Sequence, residues 1–234
     1  MKKVKVPLLI SLFVIFGAFV CVSSGQAYVV ASQGVHGGPV PGGELIGRGI
    51  DTSAGIAATA AWATGGASLS WNIVAVTGGY QYSYLWTGSD KNLSHIILEV
   101  SSNTIAGDFW GYTTNPESGD PKTYSPSDPG NSNPNLPGPI YGLKFEPGSD
   151  STSFSFSFIS DRAPMWGNFY AKDGTDDHGT VDVYAYNTGF TLTGVNSYYA
   201  AVPDTLTVVP IPPAVWLMGT GLLGLIGIRR RLRK

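Results

Sequence analysis

The stretch SLSWNIVAVTGGYQYSYLW, residues 68–86, decides the fold. In its first half Leu69, Trp71, Ile73 and Ala75 fall on one face under a period of two, the repeat of a β-strand with one side buried. Gly78-Gly79 reads as a turn, and Tyr80–Trp86 returns, so the whole is predicted as a hairpin. On the returning strand Tyr80, Tyr82, Tyr84 and Trp86 project from one face, with Gln81 and Ser83 on the other.

Working outward, the same pattern recurs. Leu45–Ile50 reads as a strand, and Ala54–Ala63 as a short helical or strand segment. Lys91–Ser101 is expected as a strand, with Ile96, Leu98 and Val100 on one face and His95, Ile97 and Glu99 on the other. Ile140–Glu146 and Ser151–Ile159 follow; in the latter Phe154, Phe156 and Phe158 alternate with serines. Asn168–Lys172, Thr180–Asn187 and Phe190–Thr193 complete the set. From Ile105 to Pro139 the alternation lapses. This stretch includes DPKTYSPSDPGNSNPNLPGP, residues 120–139, too long for an ordinary turn and expected as a functional loop, a disordered insertion, or both. Short strands separated by turn residues predict an all-β chain built as an antiparallel β-sandwich, with a closed β-barrel as the alternative. No internal repeat of fixed period is present.

Composition agrees. Glycine (31) and proline (16) are abundant and only 13% of residues are charged, which disfavours long helices. The one cysteine, Cys21, lies in a segment read as removed, so the mature domain is expected to lack disulfides, thiolate zinc and a cysteine nucleophile. The net charge of -2 hides a sorting: of 14 basic residues eight sit at the two ends, leaving six against all 16 acidic ones, a net -10 in between. Such a surface argues against a nucleic-acid partner.

Residues 1–27 have the parts of a secretory signal: Lys2, Lys3 and Lys5, an apolar run Val6–Val22, and Gly25-Gln26-Ala27 for signal peptidase, with cleavage after Ala27. An uncleaved membrane helix is the competing reading; a lipoprotein signal at Cys21 is disfavoured by the bulk of Val20. At the other end Ala214–Ile228 holds no charge. As a helix it spans about 22 Å, short against a bilayer core of ~30 Å. Pro212 and Pro213 fit only its first turn, so a transmembrane helix is expected over 212–228. Trp216 would sit near one interface, and Arg229, Arg230 and Arg231 would stay cytoplasmic at the other.

A hinge VVPIPP, a short Gly/Leu-rich helix and a terminal Arg cluster, in that order over Val208–Lys234, resemble the PEP-CTERM sorting signal of Gram-negative bacteria. The resemblance implies processing by an exosortase near Val209, Pro210, Ile211 and Pro212, with Ile211 where the name-giving motif has Glu. It also implies a route from an inner-membrane-anchored precursor to the cell surface or medium, and company with exopolysaccharide. The expected organisation is a signal peptide (1–27), a secreted domain (28–207) with a long loop at 105–139, and a sorting tail (208–234).

Within the domain the chemistry is sparse. His36, His95 and His178 lie far apart, without metal-ligand spacing, and no G-x-S-x-G, H-E-x-x-H or P-loop pattern occurs. His95 and Glu99 share a strand face but sit ~13 Å apart along it, and are read as a solvent-facing polar pair. Asp173, Asp176, Asp177 and Asp182 form an acidic loop of the kind calcium favours, although the spacing is not an EF-hand's and turns use the same residues. The stripe Tyr80, Tyr82, Tyr84, Trp86 suits stacking on sugar rings, with Trp110, Tyr112 and Tyr124 as additions; the competing reading is core. Asn92-Leu93-Ser94 matches a glycosylation sequon, and Pro164–Asp173 reads as core and turn. The chain is therefore expected to be an exported, non-catalytic surface or matrix protein without an obligatory cofactor. The alternative is a secreted carbohydrate-binding module or polysaccharide hydrolase.

Overall fold

The computed structural model describes residues 28–203, except Ser118, Asn131, Thr193, Val195 and Asn196. The expected signal peptide and transmembrane helix lie outside them. Among the described residues no helix is long and apolar enough to cross a membrane.

The strands are β1 (Val29–Val30), β2 (Ile46–Asp51), β3 (Ile56–Ala58), β4 (Ala67–Val76), β5 (Gly79–Gly88), β6 (His95–Glu99) and β7 (Phe109–Trp110). There follow β8 (Lys122–Tyr124), β9 (Ile140–Phe145), β10 (Ser153–Ser160), β11 (Pro164–Gly167), β12 (Phe169–Thr175), β13 (Asp182–Asn187) and β14 (Ala200–Pro203). One six-residue helix, α1 (Ala60–Gly65), follows β3, so the Ala54–Ala63 segment is strand first and helix second. The strand expected over Lys91–Ser101 is pared to its middle, and of that expected over Phe190–Thr193 the described residues, 190–192, form no strand, since a 3-10 turn occupies Thr188–Phe190.

Two six-stranded sheets result, ordered β1-β2-β4-β5-β10-β7 and β3-β13-β12-β6-β9-β8, with a small β11-β14 sheet beside them. We call the first the serine sheet and the second the tyrosine sheet. Neither closes on itself, so the molecule is an open, largely antiparallel β structure, consistent with a sandwich and not with a closed barrel. Among the described strands β1 departs from antiparallel pairing, running parallel to β2 at an edge.

The hairpin forms as its sequence requires: β4 and β5 pair from Ala67↔Gly88 to Val76↔Gly79. The two-residue loop is Thr77-Gly78 rather than Gly78-Gly79, because Gly78 takes the positive φ (90°) that its second position demands. β10 adds alongside β5 in unbroken register, Phe154↔Trp86, Phe156↔Tyr84 and Phe158↔Tyr82. Its phenylalanines meet the tyrosine sheet across the core: the Phe145 ring of β9 lies 4.5 Å from Phe156 and 5.7 Å from Phe158. Trp86 meets Phe169 of β12 at 6.2 Å, and Trp71 of β4 meets Trp166 of β11 edge-on, also at 6.2 Å. Aromatic pairs at such separations add to the area they bury.

A second apolar cluster lies on the opposite side of the tyrosine sheet. Ile97, Tyr170 and Ile140, on β6, β12 and β9, are covered there by Tyr124 and by Leu136 of the long loop. The stretch expected as a functional loop, a disordered insertion or both is thus packed onto the sheet at Tyr124 and over Asn133–Leu136. Leu136 and Asn133 are buried, and the Pro134 carbonyl accepts the Tyr170 hydroxyl at 2.6 Å.

Candidate functional site

The four aromatic residues proposed as a sugar platform point the other way. Tyr82, Tyr84 and Trp86 are buried and Tyr80 is half-buried against the same core. Tyr82 stacks on Phe158 at 5.4 Å, Tyr84 on Phe156 at 5.1 Å, and Trp86 meets Trp62 edge-on at 4.9 Å. The Tyr84 hydroxyl donates to the Ala201 carbonyl at 2.8 Å, which answers its polar end within the protein. Burial pushes its pKa well up. Tyr82, Tyr84 and Trp86 are thus core, the competing reading of the stripe, and closed to a sugar. The reason is the period of two: three adjacent strands turn their large apolar side chains inward together.

What those strands turn outward is the candidate binding surface. Opposite pairs set the rows: Ser68↔Thr87↔Ser153, Ser70↔Leu85↔Ser155, Asn72↔Ser83↔Ser157, and Val74↔Gln81↔Ile159↔Trp110. β4, β5, β7 and β10 contain no charged residue. Some of these polar groups are occupied: the Asn72 side-chain oxygen accepts the Gly47 backbone N–H at 2.7 Å, and Ser157 is covered by Thr113. Others, notably Ser83, Thr87 and Ser155, make no side-chain hydrogen bond among the described residues. The signal for this face was present in the serines between the phenylalanines of Ser151–Ile159.

The histidines sort into two environments. His95 is not solvent-facing. It is buried beneath the long loop, where Nε2–H donates to the Asn133 side-chain oxygen at 3.1 Å. The Asn133 amide nitrogen in turn donates to Asp128 at 3.0 Å, which fixes the tautomer. Burial, then the positive charge of Lys144, push its pKa down to about 3. Beside it an open cavity of about 290 Å³ is lined by Lys122, Thr123, Asp128, Asn133 and Lys144 among others. Glu117 bridges the two lysines at its rim, 3.4 Å from each. The charges on this wall are thus already paired.

Glu99 does not face His95; its partner is His36, on the segment before β2. His36 Nε2 lies 3.0 and 2.9 Å from the two Glu99 oxygens, and the Asn168 amide donates to Oε2 at 2.6 Å. Behind them Asn187 donates to the Asn168 side-chain oxygen at 3.0 Å and to the Tyr198 carbonyl at 3.0 Å. The hydrogen bond to Glu99 raises the His36 pKa, against partial burial. This group resembles a general-base dyad, but the residues around it tie chain segments together: Gly37 N–H donates to the Trp166 carbonyl at 2.7 Å. It staples the entering chain to β6 and β12.

The acidic loop is not gathered into one site. Asp176 closes its own turn, accepting from the Thr180 and Val181 amides at 2.7 and 3.1 Å, which lower its pKa. Asp177 pairs with Lys91, and Asp182 lies 3.5 Å from the Asn135 amide nitrogen. Asp173 stands on β12 without joining them. Among the described residues no group of three or more His, Cys, Asp or Glu side chains is placed to hold a metal ion. The processing residues Ala27, Val209, Pro210, Ile211, Pro212, Trp216, Arg229, Arg230 and Arg231 lie outside the described residues. No protein-family model, curated protein or solved structure matches the chain.

Proposed function

We propose that the chain is the precursor of an exported, non-catalytic surface or matrix protein: a β-sandwich carried across the inner membrane by its N-terminal segment and processed from its C-terminal tail by an exosortase-type enzyme. The observation that carries the reading is the order of parts over Val208–Lys234, with a Pro-rich hinge, a short uncharged run and an Arg cluster. The basic cluster holds the tail's end in the cytoplasm, which leaves everything before Val208 outside, in agreement with a signal at residues 1–27. The acidic excess of the intervening region then serves solubility outside the cell.

Intact mass of the protein recovered from cells and from medium tests this. A species beginning near Tyr28 and ending near Pro210–Pro212 is expected in the surface or medium fraction. Full-length protein held in the membrane refutes the sorting reading.

A further inference from the structure

The outward side of the β5–β10 pair is polar, as a water-facing sheet side is, but it is also uncharged and ends at a partly exposed tryptophan. Gln81, Ser83 and Thr87 on β5, and Ser153 and Ser155 on β10, direct their polar ends to the same side, and none of these side chains makes a hydrogen bond among the described residues. Their polar ends are left to solvent or to a ligand, as on the water-facing side of an antiparallel sheet. Gln81 to Thr87 spans six residue steps, about 20 Å of strand. At one end Trp110 lies opposite Ile159, 38% exposed, with its ring reaching to within 4.0 Å of a Cβ position at Gly78. Val74, 47% exposed, continues that row on β4.

The chemistry of the occupant follows from what is missing. With no charged residue on the four strands, an anionic or cationic ligand gains no ion pair on this surface. The acidic excess of the domain works against a polyanion approaching it. An extended peptide would seek backbone pairing at an exposed sheet edge rather than on a face. A second copy would set hydroxyls against hydroxyls with little apolar area to drive the contact, unlike stable dimer interfaces. A ligand that offers many hydroxyls, an apolar face for an indole, and length without charge fits all of these features.

We infer that the outer strip of β5 and β10, headed by Trp110, is a docking face for an extended, uncharged polysaccharide chain. The inference deepens the proposed surface role and rests on that reading for its setting outside the cell, while the binding itself belongs to the folded domain. Each hydrogen bond exchanged with water contributes little, so affinity accumulates along the strip and is greatest for long polymers.

Electrophoresis of the full chain in non-ionic detergent, through native gels containing hydroxyethyl-cellulose, galactomannan, dextran or alginate, tests it. At least one of the three neutral polymers is expected to retard the protein, and the polyanionic alginate is not. Trp110→Ala and, separately, Ser155→Glu should each weaken the retardation at least tenfold with the thermal midpoint unchanged. The inference is overturned by any of four results: no neutral polymer retards the chain, retardation survives both substitutions, alginate retards it equally, or Ser155→Glu dissociates a dimer in sedimentation. Retardation with an uncut tail would sink the sorting reading alone; a cut tail without retardation would sink the docking face alone.

Discussion

The two large sheets share one core yet treat their outer sides in opposite ways. The tyrosine sheet is covered: Ile97, Tyr170 and Ile140 on its outer side are sealed by Tyr124 and Leu136. The serine sheet is largely open, its outer rows made of serine, threonine and amide side chains with a few apolar ones between them, although Thr113 covers Ser157. Burial on both sides makes β6 nearly continuous in apolar character, whereas β5 and β10 alternate over most of their length, with Leu85 and Ile159 as the apolar residues of the outer side. A long loop is thus the difference between a sheet side that stabilises and one that stays available.

The largest expected effect tests whether that covering carries stability. Ile97→Ala removes a fully buried side chain from under the loop and should cost about 2–5 kcal/mol, measured as a lowered urea midpoint at constant slope. Leu136→Ala, on the loop itself, should fall in the same range. A loss below about 1 kcal/mol for both would mean that the loop lies on the sheet without bracing it.

Next comes the histidine that the loop buries. His95 has a folded-state pKa of about 3, far below its ordinary value of 6.5, because burial and Lys144 oppose its charge. The neutral form is favoured in the fold, so its contribution is complete above pH 6.5 and declines as pH falls toward 3. The slope approaches about 1.4 kcal/mol per pH unit at most. His95→Gln, which keeps a donor for Asn133, should flatten stability between pH 6.5 and 4. An unchanged slope in that variant would place the acid sensitivity elsewhere.

His36 has the opposite sign and a smaller size. Its raised pKa means that the bond to Glu99 stabilises fully below pH 6.5 and weakens as pH rises through the folded value. The ring is 44% exposed, which limits the effect to about 1 kcal/mol or less. Hydrogen exchange of the Gly37 amide should quicken above pH 6.5 by more than the intrinsic base-catalysed rise, and in Glu99→Gln that excess should vanish. A rate that rises only with the intrinsic chemistry of exchange would leave the staple without a pH response.

The sequence made these two sides legible to different degrees. Alternation is a local signal, so the hairpin, β10 and the inward faces could be read directly from Leu69, Trp71, Tyr82, Tyr84, Phe156 and Phe158. Alternation cannot say which face of an aromatic strand meets a ligand, because a tyrosine with its hydroxyl bonded to a distant carbonyl, as Tyr84 is to Ala201, looks the same in sequence as one exposed to sugar. The burial of His95 and the His36–Glu99 contact, 63 residues apart, depend on where a loop returns. Short edge pieces such as β7 and β8 are too brief to register as a period. The processing tail is the reverse case: a linear pattern readable in order, independent of any fold.

The smallest effect is the most discriminating. Leu85 stands on the outer side of β5 between Ser70 and Ser155, half-buried by its neighbours alone. Leu85→Ala and Ser83→Ala should each change stability by no more than about 0.5–1 kcal/mol, since neither substitution opens a cavity nor strands a buried partner. The contrast with Ile97→Ala is the informative quantity, because both sites lie on the outer side of a central strand and differ in whether anything rests on them. If Leu85→Ala cost as much as Ile97→Ala, something would have to cover the serine sheet as the loop covers the other. The strip of unpaired hydroxyls would then be an interior surface, closed to a ligand.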